Sequence, residues 1–181
     1  RWDSNVVASA AGLPQSQVAL VMFTNIANRL IKRYTTDWHD NDPEYFRLSF
    51  GTNQPFDAFS IPFYISNRVV YSPSINRLLQ LAANITDTVV TDRGGIPAGL
   101  PSVFRPRFSK SLVTVNGLTY YAINIVGFAE SGADVAARTK KPLALDDPTE
   151  FASIDADSNI YGAPWIIGAK KGLPNFNEFA L

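Results

Sequence analysis

Asp155, Asp157 and Asn159 stand at the first, third and fifth places of a polar run. By that spacing a calcium loop turns successive oxygens toward one cation, and the backbone carbonyl of Tyr161 would take the seventh place. Calcium is therefore the one cofactor the residues nominate. The match is incomplete: Ile160 fills the sixth place, where the sharp turn wants glycine, and Ile166 the twelfth, where a bidentate glutamate belongs. The competing reading is an Asx-rich turn entering a strand, because Asp and Asn side chains bond their own backbone two residues on. The sequence favours that second reading.

His39 is the only histidine and lies among Asp37, Asp40, Asp42 and Glu44. Any imidazole-based metal site or serine triad would have to use it, which defines a hydrolase alternative centred on His39. No second histidine is present to complete a ligand set, and no Gly-x-Ser-x-Gly elbow presents a serine. A solvated polar loop is the preferred reading.

Gly168-Ala-Lys-Lys-Gly172 places two lysines between glycines, an arrangement in which backbone N–H groups and ammonium heads can meet a phosphate. It lacks the spacing of a phosphate-binding loop, as does Gly94-Gly-Ile-Pro-Ala-Gly99, so a turn carrying surface lysines is expected. Asp146, Asp147 and Glu150 are carboxylates of the kind that pair in glycoside hydrolysis, but nothing in the chain sets them across a cleft. Asn84-Ile-Thr86 has the form of a glycosylation acceptor, yet it falls on a helix rather than a loop. The aromatics, among them Phe56, Phe59, Phe63, Tyr120, Tyr121 and Trp165, are read mainly as core.

Composition narrows the classes further. The 181 residues suffice for one buried core. Sixteen basic residues balance sixteen acidic ones, so no net field exists to recruit nucleic acid. Cysteine is absent, which removes disulfides and thiolate chemistry. The longest apolar runs fall far short of the roughly 20 residues of a membrane helix. The chain starts at Arg1 without a signal-like segment and stops at Leu181 without a polar tail, which leads to the expectation that it is an excerpt of a longer polypeptide.

The elements that must position these residues are partly legible. A helix is expected from Ser16 to about Tyr34, with Val18, Met22, Ile26, Arg29 and Leu30 at helical spacing. Residues 35–44 read as a loop, 46–50 as a weakly alternating stretch, and Pro62 demotes 56–65 to an edge strand or an extended packing segment. Ser72 as N-cap, Pro73 at the first helical position and a stripe of Ile75, Leu78, Leu79, Ala82 and Ile85 predict a second helix over 72–87. Asn116-Gly117 between β-branched and aromatic runs predicts a hairpin of 111–115 with 118–126. Residues 133–138 suggest a short helix, 146–148 a turn, and 163–167 a buried strand. The sum is a single α+β domain over 1–181, with amphipathic helices on a mainly antiparallel sheet, long irregular loops, and an irregular strand-and-loop tail over 149–181.

Two stretches carry a resemblance. Ile61-Pro-Phe-Tyr-Ile-Ser-Asn-Arg-Val-Val-Tyr-Ser-Pro-Ser-Ile-Asn-Arg-Leu-Leu-Gln-Leu-Ala-Ala-Asn-Ile85 and Asn159-Ile-Tyr-Gly-Ala-Pro-Trp-Ile-Ile-Gly-Ala-Lys-Lys-Gly-Leu-Pro-Asn-Phe-Asn-Glu-Phe179 are similar to the large Verru_Chthon cassette protein A family of bacterial proteins, encoded beside pilin-like partners. The resemblance implies a structural or protein-interaction domain of an envelope, secretion or pilus-like assembly. It implies partners within that assembly, including pilin-like proteins or further copies of the chain, and a secreted or envelope-associated location. It carries over no catalytic residue. The calcium-binding or ligand-binding module on Asp155, Asp157, Asn159 and Tyr161 and the His39 hydrolase stand as the rival expectations.

Overall fold

A computed structural model describes residues 15–90, 99–115, 117–130 and 140–170. Its architecture is the expected α+β class: helices laid on a five-stranded antiparallel sheet. In chain order the elements are α1 (Gln15–Asn41), α2 (Pro43–Phe50), β1 (Ile61–Ile65), β2 (Arg68–Val69), α3 (Pro73–Val89), β3 (Val103–Val115), β4 (Leu118–Glu130), α4 (Pro148–Ala152) and β5 (Ile166–Ile167). Across the sheet the order is β2-β1-β4-β3-β5, and every neighbouring pair runs antiparallel.

Helix α1 departs from expectation at both ends. It is already helical at Gln15, and it continues through the stretch read as a loop, as far as Asn41. Polar residues there are consumed by packing. Thr35 is fully buried and its hydroxyl donates to the Phe56 carbonyl at 2.7 Å, while Trp38 lies edge-on to Phe46 and Phe50. The helix also buries a wider arc than one stripe, including Ala19, Met22, Phe23, Ala27 and Ile31, because it packs on both α3 and β4. Only Asp42 separates α1 from α2. Its side chain accepts the Tyr45 N–H at 3.0 Å as N-cap, and Pro43 follows where its missing N–H is harmless. Residues 46–50 are thus helical rather than alternating, with Phe46 and Phe50 one turn apart and both buried.

Helix α3 matches its sequence signals. Ser72 accepts the Ile75 N–H at 3.3 Å, and Ile75, Leu79 and Ala82 are fully buried. Asn84 lies within this helix, where its side chain accepts a bond from Gln80 at 2.9 Å.

In the sheet, β1 lies between β2 and β4 rather than at an edge, but β2 covers only Tyr64 and Ile65. Pro62 therefore falls where β1 has no neighbouring strand on that side among the described residues, and the register shifts between Pro62 and Tyr64. Ser66 and Asn67 join β1 to β2 with φ of 52° and 60°, the sign that a tight hairpin connection requires. The β3–β4 hairpin forms as expected and is longer, running from Phe104↔Glu130 to Val115↔Leu118 with a shift at Arg107/Phe108. Gly117 sits at φ 78°. Asn116, the proposed helix at 133–138 and residues 171–181 lie outside the described residues.

The core centres on Phe23, which stacks on Phe104 with ring centroids 3.9 Å apart and meets Phe128 edge-on at 5.0 Å. Burying rings of this size is the main source of helix-to-sheet adhesion.

Candidate functional site

The Asp155 run is held between α4 and the edge of β3. Asp147 caps α4 by accepting the N–H groups of Thr149 and Glu150, so the expected turn at 146–148 is a helix start. Glu150 is engaged by Lys141 at 2.6 Å and by the Ala144 N–H at 2.7 Å. Those two bonds hold its carboxyl below the usual carboxylate range. Asp146, Asp147 and Glu150 share one rim with Lys141 and Tyr161.

Beyond α4 the chain makes the Asx turn. Asp155 Oδ1 accepts the Ser158 hydroxyl at 2.8 Å and the Asp157 N–H at 2.9 Å, and the Asp155 N–H donates to Ser158 Oγ at 3.0 Å. The Asp157 carboxylate turns the other way, to Arg105 at 3.0 Å and Arg107 at 3.3 Å, while its carbonyl accepts from Arg105 at 2.8 Å and Lys140 at 3.2 Å. Asn159 donates to the Lys140 carbonyl at 3.0 Å, and the Tyr161 N–H donates to the Leu143 carbonyl at 3.1 Å. The four residues read as ligands thus sit in one segment, with the two carboxylates committed to different partners. Among the described residues no group of three or more His, Cys, Asp and Glu side chains is placed to hold a metal ion.

What the segment does mechanically is close one edge of β3. The Phe108 N–H donates to the Ala156 carbonyl at 3.1 Å, and Lys110 reaches the Phe151 and Ala152 carbonyls at 3.0 and 2.9 Å. Ile154 and Ile160 are buried beneath it. Arg105, only 6% exposed, is the residue sequence reasoning missed. Its signal was available: Arg105 and Arg107 fall two apart on one strand, so both face the same side and together call for a carboxylate.

The acid response of the domain should carry this turn. The Ser158 hydroxyl above all lowers the Asp155 carboxyl below its ordinary value; burial opposes it, and the Asp157 N–H and the charges of Lys140 and Arg105 add to the lowering. A depressed carboxyl stabilises the fold above the unfolded pKa of about 3.9, and that contribution is lost as pH falls through the lower folded value. Urea midpoints measured from pH 6 down to pH 2 are expected to fall more steeply for the native protein than for Asp155→Asn. Parallel curves would count against the turn as the source.

The glycine-bracketed lysines divide differently from expectation. Lys170 is not a surface lysine: its side chain is 11% exposed and its ammonium donates to the Asp87 and Val90 carbonyls at 3.0 and 2.9 Å, completing the C-terminus of α3. Lys171 lies outside the described residues. The same ammonium stands 3.8 Å from the Asp87 carboxylate, which is fully buried and also accepts the Ser102 hydroxyl at 2.6 Å and the Ser102 N–H at 2.9 Å. Gly168 donates its N–H to the Ser102 carbonyl at 2.8 Å, and Gln80 reaches the Ile167 carbonyl. These bonds latch the tail to α3 and to residues just before β3.

Gly168 is glycine for want of room. A Cβ there would lie 2.2 Å from Asp87 Oδ2 and 3.1 Å from the Ala83 carbonyl oxygen. Gly168→Ala is therefore expected to cost about 1–3 kcal/mol, the range of overpacking in a filled interior. Chemical unfolding measures it, and a loss below about 0.5 kcal/mol would mean the tail shifts freely. The strand before it is shorter than the expected 163–167: only Ile166 and Ile167 pair with β3, and Trp165 is half-buried.

His39 lies in the last turn of α1. Its Nδ1 is 3.4 Å from Asp40 Oδ1, and its ring meets Phe46 edge-on. Asp37 is spent on Arg33 at 2.7 Å and Asp42 on capping α2, so the acidic neighbours do not converge on the imidazole.

The feature that remains is the outer half of the β3–β4 hairpin. On β4, β1 covers residues only from Ala122 onward. On β3, the last bonds from outside the hairpin are those at Phe108 and Lys110. Beyond them, among the described residues, Ser111–Val115 and Leu118–Tyr121 pair only with each other and leave two edges open. Leu112 and Leu118 are 63% and 60% exposed, and Tyr121 is also exposed. No charged residue and no proline occurs from Ser111 to Ala129. Exposed edges are normally guarded by charge, proline or a cover; this arm carries no charge or proline, and among the described residues no strand covers its outer edges.

Among the described residues no helix is long and apolar enough to cross a membrane. Comparison of the chain with family models, with curated proteins and with solved structures returns no match.

Proposed function

We propose that this chain is a structural, protein-interaction domain, and that the outer half of the β3–β4 hairpin is the element by which it binds. The observation that carries the reading is the neutral, unguarded arm with open strand edges and exposed Leu112 and Leu118. Strand addition to such an edge draws affinity from main-chain hydrogen bonds and specificity from alternate side chains. The resemblance to cassette proteins encoded beside pilin-like partners supports a place in a bacterial envelope, secretion or pilus-like assembly, with the partner supplied by that assembly.

The test is co-purification of the domain with pilin-like proteins of the kind the resemblance implies as partners, comparing the native chain with a Leu112→Lys/Leu118→Lys variant. Both side chains are exposed, so thermal stability should change by less than about 0.5 kcal/mol for each. A native complex that the double variant loses is the expected result. If no complex forms with any of them, or the variant binds equally well, the arm is not the binding element.

A further inference from the structure

A pocket of about 540 Å³ opens between the C-terminal turn of α2 and the β1–β2 turn. Its walls bring together Arg47 from α2, Arg68 from β2, Asn53 from the intervening loop, Ser66 from the turn and Thr114 from β3. No carboxylate is among its described lining residues. Three other arginines are neutralised, Arg33 by Asp37 and Arg105 and Arg107 by Asp157. Arg47 and Arg68 have no such partner among the described residues, and both are exposed to the pocket mouth.

Arg68 is held in place. One terminal nitrogen donates to the Leu48 carbonyl, which ties the Arg68 guanidinium to the turn of α2 that carries Arg47. A guanidinium carries five N–H donors, and one bond to a carbonyl leaves most of the fork available. The bland account is that both arginines serve the negative end of α2. The Arg47 carbonyl already accepts the Gly51 N–H at 2.8 Å and the Leu48 carbonyl is met by one Arg68 N–H, which leaves the Arg47 guanidinium and the rest of the Arg68 fork beyond that task.

We propose that this pocket binds the phosphate group of a free phosphate or a small phosphate monoester, with Arg47 and Arg68 as the charged donors and Ser66, Thr114 and Asn53 as neutral ones. Two guanidinium forks alone occupy the acceptor sites of a carboxylate. With two hydroxyls and an amide beside them, a group with three terminal oxygens uses the donors more completely. Of these residues only Thr114 lies on the binding arm, and the two arginines and the exposed leucines can be substituted independently.

The experiment is calorimetric titration of the purified domain with inorganic phosphate and, in a second arm, glycerol phosphate, in a phosphate-free buffer at ionic strength matched with chloride. Saturable binding is expected for at least one, and the tighter arm identifies the source of the group. Arg47→Gln and Arg68→Lys should each weaken it about tenfold or more, the loss of a charge-assisted bond. Arg68→Lys keeps the charge and a donor for the Leu48 carbonyl, so its fold is preserved while the fork is lost, and an unchanged melting midpoint without ligand verifies this. Absence of saturable binding in both arms, or equal binding by the native protein and both variants, overturns the proposal.

Discussion

Asp87→Ala is expected to lower the stability of the domain by about 3–5 kcal/mol, the cost of removing one partner from a buried charged network. Its carboxylate is fully buried and is the acceptor for the Ser102 N–H and hydroxyl, with the Lys170 ammonium 3.8 Å away. Alanine would leave the Ser102 N–H without that acceptor and would leave a nearly buried ammonium with two carbonyls and no countercharge. The pair should behave as a unit. In a double-mutant cycle, Asp87→Ala combined with Lys170→Met should be less destabilised than the sum of the single changes, because the second substitution removes the charge the first one stranded. Urea unfolding of the four proteins measures this. A single-variant loss under about 1 kcal/mol, or strict additivity, would show that the latch is solvated rather than buried.

Phe23→Ala should be comparably severe, at about 3–5 kcal/mol. The ring is fully buried, parallel to Phe104 with 7° between planes and perpendicular to Phe128, so it joins α1 to both long strands at once. Truncation removes its transfer free energy and leaves a cavity bounded by two rings that cannot both collapse into it. Phe23→Leu, which fills part of that space, should lose less than Phe23→Ala. Equal losses for the two would mean that the site relaxes around either side chain.

These two predictions depend on relations of different legibility. Phe23 belongs to a helix that apolar spacing announces, yet the single stripe drawn through Val18, Met22, Ile26 and Leu30 passes it by. The period of 3.6 identifies a helix, but the width of the buried arc depends on how many layers cover it, and α1 is covered by both α3 and β4. Trp38 and Thr35 were hidden for the same reason. A polar stretch reads as a loop until an aromatic pocket from α2 and the Phe56 carbonyl give it partners.

The Asp87 latch was not legible at all. Lys170 lies 83 residues from the carbonyl it caps, and no local pattern encodes that meeting. The Asp155 run shows the opposite case. Its spacing suits both a cation loop and an Asx turn, and the side chains form the turn's bonds, with Asp157 drawn outward by Arg105 and Arg107.

What the sequence by itself determined is therefore what short-range chemistry can specify. The Ser72-Pro73 start of α3, the Asn-Gly hairpin signal and the α+β class all follow from bonds and faces within a few residues of one another. Tertiary structure alone decided that Lys170 is a buried cap, that Gly168 makes room for a carboxylate, that Arg105 has a partner, and that the hairpin outruns its cover. Each of these depends on which distant groups the packed core brings within a few ångströms. That is settled by the sum of burial over the whole chain rather than by any one segment's preference.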